Sequence, residues 1–318
     1  MAYTNIDDPS AYFQTATYAG NGGTQSITND GNSDLQPDWV WTKSRSDSSF
    51  HLVTDSTRGT TKRIYPNSTA AEETHSNMVT AFNSDGFSIG DHSAINTNGY
   101  NYVGWQWKAN GGTTASDSNG SITSTVQANQ DAGFSIVTYT TAGSAGTIGH
   151  GLGVKPDVII VKKRNGAISW YMRHVSTGTS YLLLNSTAAA ASNPGPSWTT
   201  TEPTSSVFSI GTSSDFNVNG GTYVAYCFAS KQGYSKFGSY TGNGDVYGPF
   251  VYTGFKPAFV MIKNASATES WVIYDSTRNP RNSTDLKISP DTADAENDNS
   301  TIGGTAYNNI NILSNGFK

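Results

Sequence analysis

The sequence predicts an all-β chain of three tandem β-sandwich modules, jelly-roll-like in strand density, with the third module truncated. Three observations carry this. Charged residues are 14% of the 318 residues and aromatics 12%, whereas an ordinary domain has about a quarter of its residues charged. Ser, Thr, Asn and Gly dominate the polar remainder. Ser, Asn and Gly disfavour helix interiors, while Thr, Val, Ile and the aromatics suit a pleated, half-buried surface. Short apolar runs alternate with Gly, Asn, Asp and Ser clusters, which is the strand spacing of a sandwich. Finally, one pattern recurs three times, and a repeat outranks any local signal.

Along the chain, residues 1–17 read as an N-terminal arm, 18–109 as the first module, 110–133 as a linker, 134–230 as the second module and 231–318 as the third. Each module opens on a tyrosine strand that runs into a tight turn: Tyr18-Ala19-Gly20-Asn21-Gly22, Tyr139-Thr140-Thr141-Ala142-Gly143 and Tyr240-Thr241-Gly242-Asn243-Gly244. A proline then leads an apolar strand, at Pro37, Pro156 and Pro257, a position where its missing N–H costs no ladder bond. Lys43, Lys162 and Lys263 follow at six residues, His51, Trp170 and Trp271 at fourteen, and Asp55, His174 and Asp275 at eighteen. The register therefore holds without a gap. Thr69-Ala70-Ala71-Glu72-Glu73 and its counterpart Thr187–Ala191 are the one helical candidate, a turn or two long.

Phe87-Ser88-Ile89-Gly90 matches Phe208-Ser209-Ile210-Gly211, and fifteen residues past each phenylalanine stand Tyr102 and Tyr223. These open the plainest strands in the chain. Alternation puts Val103, Trp105 and Trp107 on one face and Val224, Tyr226 and Phe228 on its counterpart, and these faces are the expected core. Cys227 lies on the opposite face, a small buried residue rather than a reactive thiol. The same fifteen-residue step from Phe317 falls beyond Lys318. The expectation is a third sheet with an open edge, in a fragment of a longer protein or beside a second chain that donates the strand.

The net charge of -5 offers no basic field for nucleic acid, and no apolar run approaches membrane-spanning length or a secretion signal. A lone cysteine excludes an internal disulfide, and no Cys/His spacing suggests zinc. No catalytic motif or paired-carboxylate arrangement stands out, so no catalytic, cofactor or metal residue is assigned. The acidic run Asp291, Asp294, Glu296 and Asp298 lacks the glycine and bidentate glutamate of a calcium loop and reads as solvated.

The recurring tetrapeptides Asp55-Ser56-Thr57-Arg58 and Asp275-Ser276-Thr277-Arg278 are the sharpest polar signal. Asp55, Arg58, Asp275 and Arg278 are ligand-contact candidates through carboxylate and guanidinium. The reading that weighs more is a turn closed by local hydrogen bonds, with the arginine paired to the aspartate. Trp198 and Tyr247 stand in loop-like stretches, and an aromatic on a loop can stack on a sugar or anchor a partner. It can equally plug the end of a sandwich.

Asp-Asp-Pro-Ser-Ala-Tyr-Phe-Gln-Thr at 7–15, Asp-Gly-Asn-Ser-Asp-Leu-Gln-Pro-Asp at 30–38, Gly-His-Gly-Leu-Gly-Val-Lys-Pro-Asp at 149–157 and Gly-Tyr-Ser-Lys-Phe-Gly-Ser-Tyr-Thr-Gly-Asn-Gly at 233–244 resemble a repeated β-rich domain of unknown function. That domain occurs in virion proteins of marine tailed bacteriophages, cyanophages among them. The resemblance covers nearly the whole chain and implies a virion part, a tail-fibre or appendage component, with no catalytic residues to carry over. The expectation is a non-enzymatic structural protein, made in the host cytoplasm and located in the virion, that binds host-surface glycan. Its partners would be other virion proteins and a host polysaccharide or receptor, with a homo-oligomer, a trimer by analogy, and neither nucleic acid nor membrane insertion. The rival readings are a capsid decoration or head-fibre protein and, third, a glycan depolymerase.

Overall fold

The computed structural model describes residues 4–192, 201–245, 247–280, 283–298, 301–302, 305–306 and 310–318, and the chain is nearly all β. In the first copy, β1 (Phe13–Ala19), β3 (Trp39–Ser44), β4 (Leu52–Asp55) and β7 (Asn101–Trp107) form an antiparallel sheet in the order β1-β7-β3-β4. Opposite it lie β2 (Gln25–Ile27), β5 (Val79–Phe82) and β6 (Phe87–Ile89), ordered β2-β6-β5. Ala16, Val40, Leu52, Phe87 and Ile89 fill the space between the two sheets.

The second copy repeats the arrangement with β10 (Phe134–Thr140), β12 (Val158–Lys163), β13 (Tyr171–His174) and β16 (Thr222–Phe228) ordered β10-β16-β12-β13. Registers coincide as well, since Trp41 pairs with Trp105 as Ile160 pairs with Tyr226. β11 (Gly146–Gly149) and β15 (Val207–Ile210) form its second layer, and β14 (Leu182–Leu183) extends the edge beyond β13. In the third copy β18 (Phe259–Ile262) pairs with β19 (Val272–Asp275). A separate sheet there runs β17 (Val251–Tyr252), β22 (Gly316–Phe317), β21 (Ile310–Leu313) and β20 (Ser283–Thr284). Pro37, Pro156 and Pro257 each stand two residues ahead of the equivalent strand.

Three sequence expectations are corrected. Residues 110–133 are not a free linker: β8 (Ala115–Asp117) and β9 (Ser124–Asn129) add two strands to the edge of β10. The buried Asp38 carboxylate takes the N–H groups of Ala109, Gly111 and Gly112, and the buried Gln127 amide takes those of Asn110 and Gly112. A Gly-rich stretch whose amides are captured this way has lost the freedom its composition suggests. The N-terminal arm, placed at 1–17, gives way to strand at Phe13, because β1 pairs along its whole length with β7. Nor does Thr69–Glu73 coil into a helix: Thr69–Glu72 take no regular structure and Glu73 begins a two-residue strand, the Glu72 N–H bonding across to Arg164 O. The short α-helix that does form is α1, Ser93–Asn96.

The aromatic strands are buried on both faces. Trp105, Val103, Tyr226 and Val224 are core residues as expected, Trp107 and Phe228 are partly buried, and Gln106, Ala225 and Cys227 behind them are fully buried too. The backward face closes its own sandwich. Forward, Trp39, Trp41 and Trp105 meet Phe134, Ile160, Trp170 and Tyr226 of the second copy and Trp271, Ile273 and Ile288 of the third in one shared core.

Hydrogen bonds around that core close into a cycle. Glu72 N–H of the first copy donates to Arg164 O of the second at 2.8 Å, Ala190 of the second to Ala265 of the third at 2.9 Å, and Glu296 of the third to Arg45 of the first at 3.0 Å. A second cycle runs the other way. Trp170 Nε1 donates to Tyr65 O at 2.7 Å, Trp271 Nε1 to Leu183 O at 2.9 Å, and His51 Nε2 to Ser289 O at 3.1 Å. Head-to-tail contacts that return to their start after three steps define an approximate threefold ring.

Candidate functional site

The two Asp-Ser-Thr-Arg tetrapeptides lie in this ring, each at a junction between copies. Asp55 ends β4, and the turn after it brings Arg58 back onto its carboxylate: Arg58 N–H and Nε donate to Asp55 at 2.8 and 2.6 Å. Arg58 Nη1 reaches Glu72 at 2.9 Å, and Arg164 of the second copy grips the same Glu72 with Nε at 2.9 Å and Nη2 at 3.0 Å. Tyr226 of the second copy donates its hydroxyl to Asp55 at 2.7 Å. At the junction between third and first copies the roles recur. Arg278 pairs with Asp275 and Glu296, Arg45 binds Glu296, and Trp105 Nε1 donates to Asp275 at 2.9 Å.

Asp55, Arg58, Asp275 and Arg278 are thus corrected as surface-recognition residues. Asp55 and Asp275 are fully buried and Arg58 and Arg278 nearly so, and their donors and acceptors face one another across the junction rather than solvent. Two carboxylates and two guanidinium groups meet in each cluster, so the charge balances internally. Burial pushes the Glu72 carboxyl up, but the hydrogen bonds and charges of Arg164 and Arg58 hold it below its ordinary value. Burial likewise works against the Arg58 charge, and Asp55, Tyr226 and Glu72 reverse that, raising its pKa. Breaking such a buried, fully paired set by removing one partner costs about 3–5 kcal/mol.

The junction between second and third copies has none of these charges. Where the others have Asp, Arg, Glu and Arg, it has His174, Thr177, Ala190 and Ala265. All four positions change together, as they must: an unpaired survivor would be a buried charge without a counterion. The backbone bond from Ala190 to Ala265 is retained.

The recurring lysine is also structural. Lys162 Nζ donates to Thr69 O of the first copy at 2.9 Å, and Lys263 Nζ to Thr187 O of the second at 3.1 Å. Lys43 bonds Ser44 O and Asp47 O. Burial lowers the pKa of Lys43 and Lys162 to about 8. His51 is held neutral by burial, its Nδ1 accepting from Trp41 Nε1 at 2.9 Å. The acidic run is used rather than solvated at two positions: Asp291 accepts the Trp271 N–H, and Glu296 sits in the junction cluster. The Cys227 thiol is buried and pushed up to about 12, which leaves it unreactive.

Exposed aromatics gather in the third copy, in addition to Phe50 and Tyr100 in the first. Tyr247 is 74% exposed, with Lys318 Nζ over its ring at 5.5 Å. Tyr240, Phe250 and Tyr252 are exposed nearby in sequence, Lys236 Nζ lying over Tyr252 at 5.1 Å. Sequence reasoning picked out Tyr247 and missed the other three, though four aromatics within thirteen residues of a Gly-rich stretch were a readable signal. Trp198 lies outside the described residues. A shallow groove of about 230 Å³ on the second copy is lined by Ser116, Thr123, Thr125, Thr138, Thr140 and Arg164, among others. Among the described residues no cluster of His, Cys, Asp and Glu is arranged to hold a metal ion.

No curated protein and no solved structure matches the chain. A family model does, over residues 8–318, which span all three copies and both junction clusters. The chain belongs to the family described as domain of unknown function DUF7483.

Proposed function

We propose that the chain is a structural component of a tailed-phage virion, part of a tail fibre or similar appendage, that contacts the host surface by binding and without catalysis. The observation that carries this is the closed ring of three copies. The most reactive polar side chains, the two Asp/Arg/Glu/Arg sets together with Lys162 and Lys263, hold copies together. Such a ring is a rigid platform whose loops are free to vary. The exposed aromatics Tyr247, Phe250 and Tyr252, two of them beneath lysines, suit stacking on a sugar face. The groove lined by serine and threonine adds neutral donors and acceptors of the kind that match polysaccharide.

The test has two parts. Gold-labelled antibody against the chain, viewed on intact particles by electron microscopy, is expected to mark the tail or its fibres. Label confined to the head would favour a decoration protein. Purified host polysaccharide is expected to bind and stay intact, and its shortening would make the chain a depolymerase. Labelled particles without any tail or head signal would end the virion reading altogether.

A further inference from the structure

Residues 110–133 are an insertion in the repeat, since the interval from Trp107 to Tyr139 is far longer than the matching one from Phe228 to Tyr240. Insertions in a repeat array often mark its binding face. This one adds β8 and β9 to the second copy's sheet, and with them most of one wall of the groove.

Alternation decides which side chains face the groove. Ser124 and Val126 on β9, and Val137 and Tyr139 on β10, are buried behind the sheet, so Thr125, Thr138 and Thr140 stand on its outer face. Register then sets hydroxyl-bearing residues in two rows on that face. Ser116, Thr125 and Thr138 lie opposite one another across β8, β9 and β10. Thr140 lies opposite Thr222 of β16, and Thr123, one residue ahead of β9, continues that row. The strands are about 4.8 Å apart and the rows about 7 Å. None of these six hydroxyls bonds to another described residue.

Contacts with the first copy bound the array on two sides. Gln127, two residues beyond Thr125 on the same face, is fully buried and donates to Ser56 Oγ and Thr57 Oγ1 of the first copy, both at 2.9 Å. The groove opens where that cover ends, at an interface between units, a preferred place for ligands. At the far side the Arg164 N–H donates to Thr222 O at 2.7 Å. Its guanidinium is held by Glu72 within the charge-balanced cluster.

These surroundings select the ligand. Neither an anion nor a cation finds an uncompensated charge, and an apolar ligand would desolvate the hydroxyls without replacing their bonds. A neutral polyol replaces them, its C–H faces lying on the threonine methyl groups.

We propose that this groove is the chain's glycan site and takes a neutral polysaccharide, an extended run of about three sugar rings lying across β9, β10 and β16. The proposal rests on the glycan-binding reading and not on location in a virion. Its test screens the full chain against an array of neutral and acidic oligosaccharides of graded length. Binding is expected to neutral members, rising with length up to about three rings and then levelling. The combined variant Thr125→Val, Thr138→Val and Thr140→Val keeps shape and strand propensity, and should bind at least about tenfold more weakly with an unchanged melting temperature. Serine at the same three positions keeps the hydroxyls and should bind within about threefold of the original chain. Phe250→Ala with Tyr252→Ala should change affinity less than about twofold. If the aromatic pair abolishes binding and the valine variant does not, the groove is not the site although the glycan reading stands. Binding confined to acidic members, or a valine variant that binds as well as the original, also overturns the proposal. No binding to any member overturns the proposal and the glycan reading together.

Discussion

Arg58 satisfies Asp55, Glu72 and the Val53 carbonyl at once while almost wholly buried, and its removal leaves the buried Asp55 without a counter-ion and Glu72 with Arg164 alone. Arg58→Ala is expected to cost about 3–5 kcal/mol in denaturant unfolding. Converting the whole set to the residues of the uncharged junction, by Asp55→His, Arg58→Thr, Glu72→Ala and Arg164→Ala together, should cost less than that single change, because no charge is left unpaired. A larger loss in the fourfold variant would show that the cluster is a net source of stability. Acid should reveal the same set. Glu72 has a folded pKa below its ordinary 4.5, so the unfolded chain takes up its proton first. The stability it contributes is fully present above about pH 4.5 and falls away as pH drops through the folded value. Melting curves from pH 6 to 3 should therefore fall less steeply in the fourfold variant. The local half of this site was legible in the sequence: Asp-x-x-Arg closing its own turn is what the spacing says. The partners were not, since Glu72 and Arg164 stand 92 residues apart and no periodicity states which copy faces which.

Strand β7 shows how much an alternating pattern conveys. It identified Val103 and Trp105 as core, and they are buried, but it left open whether Gly104 and Gln106 behind them face a neighbouring layer or water, and they are buried as well. Alternation distinguishes two faces; it does not say that both are covered, and the aromatic face here packs against other copies. The small face is the tighter one. Gly104→Val would force its Cβ to within 2.9 Å of the fully buried Phe87 ring and should cost about 1–3 kcal/mol in thermal or chemical unfolding. A neutral result would mean that Phe87 has room to move. Residues 110–133 failed as a linker for a related reason. Their Gly and Ser content describes the isolated chain, whereas Asp38, distant in sequence, and Gln127, within the stretch itself, fix the amides at its start.

At the scale of the molecule the repeat count was visible in the spacing of the prolines, but closure was not, because closure depends on the angle between copies. Stability should be uneven around the ring. The junction between second and third copies lacks the charged set, and among the described residues β18 has a single ladder partner. Hydrogen exchange is expected to be faster at Phe259–Ile262 than at Trp39–Ser44 or Val158–Lys163, with the third copy opening before the other two. Uniform protection across the three strands would contradict that order.

The hydrogen-bonded cycle of His51, Trp170 and Trp271 also bears on how such an array is able to evolve. An open stack of repeats grows or shrinks by whole units, since each unit touches only its neighbours and the ends are free. A ring in which every unit grips the next one's backbone has no free end at which to add. A fourth copy would change the turn angle at every junction simultaneously, and loss of one would leave the remaining two with their tryptophans facing water. A change at one buried junction position therefore calls for matched changes across it, and His174, Thr177, Ala190 and Ala265 differ from the charged sets at all four positions at once.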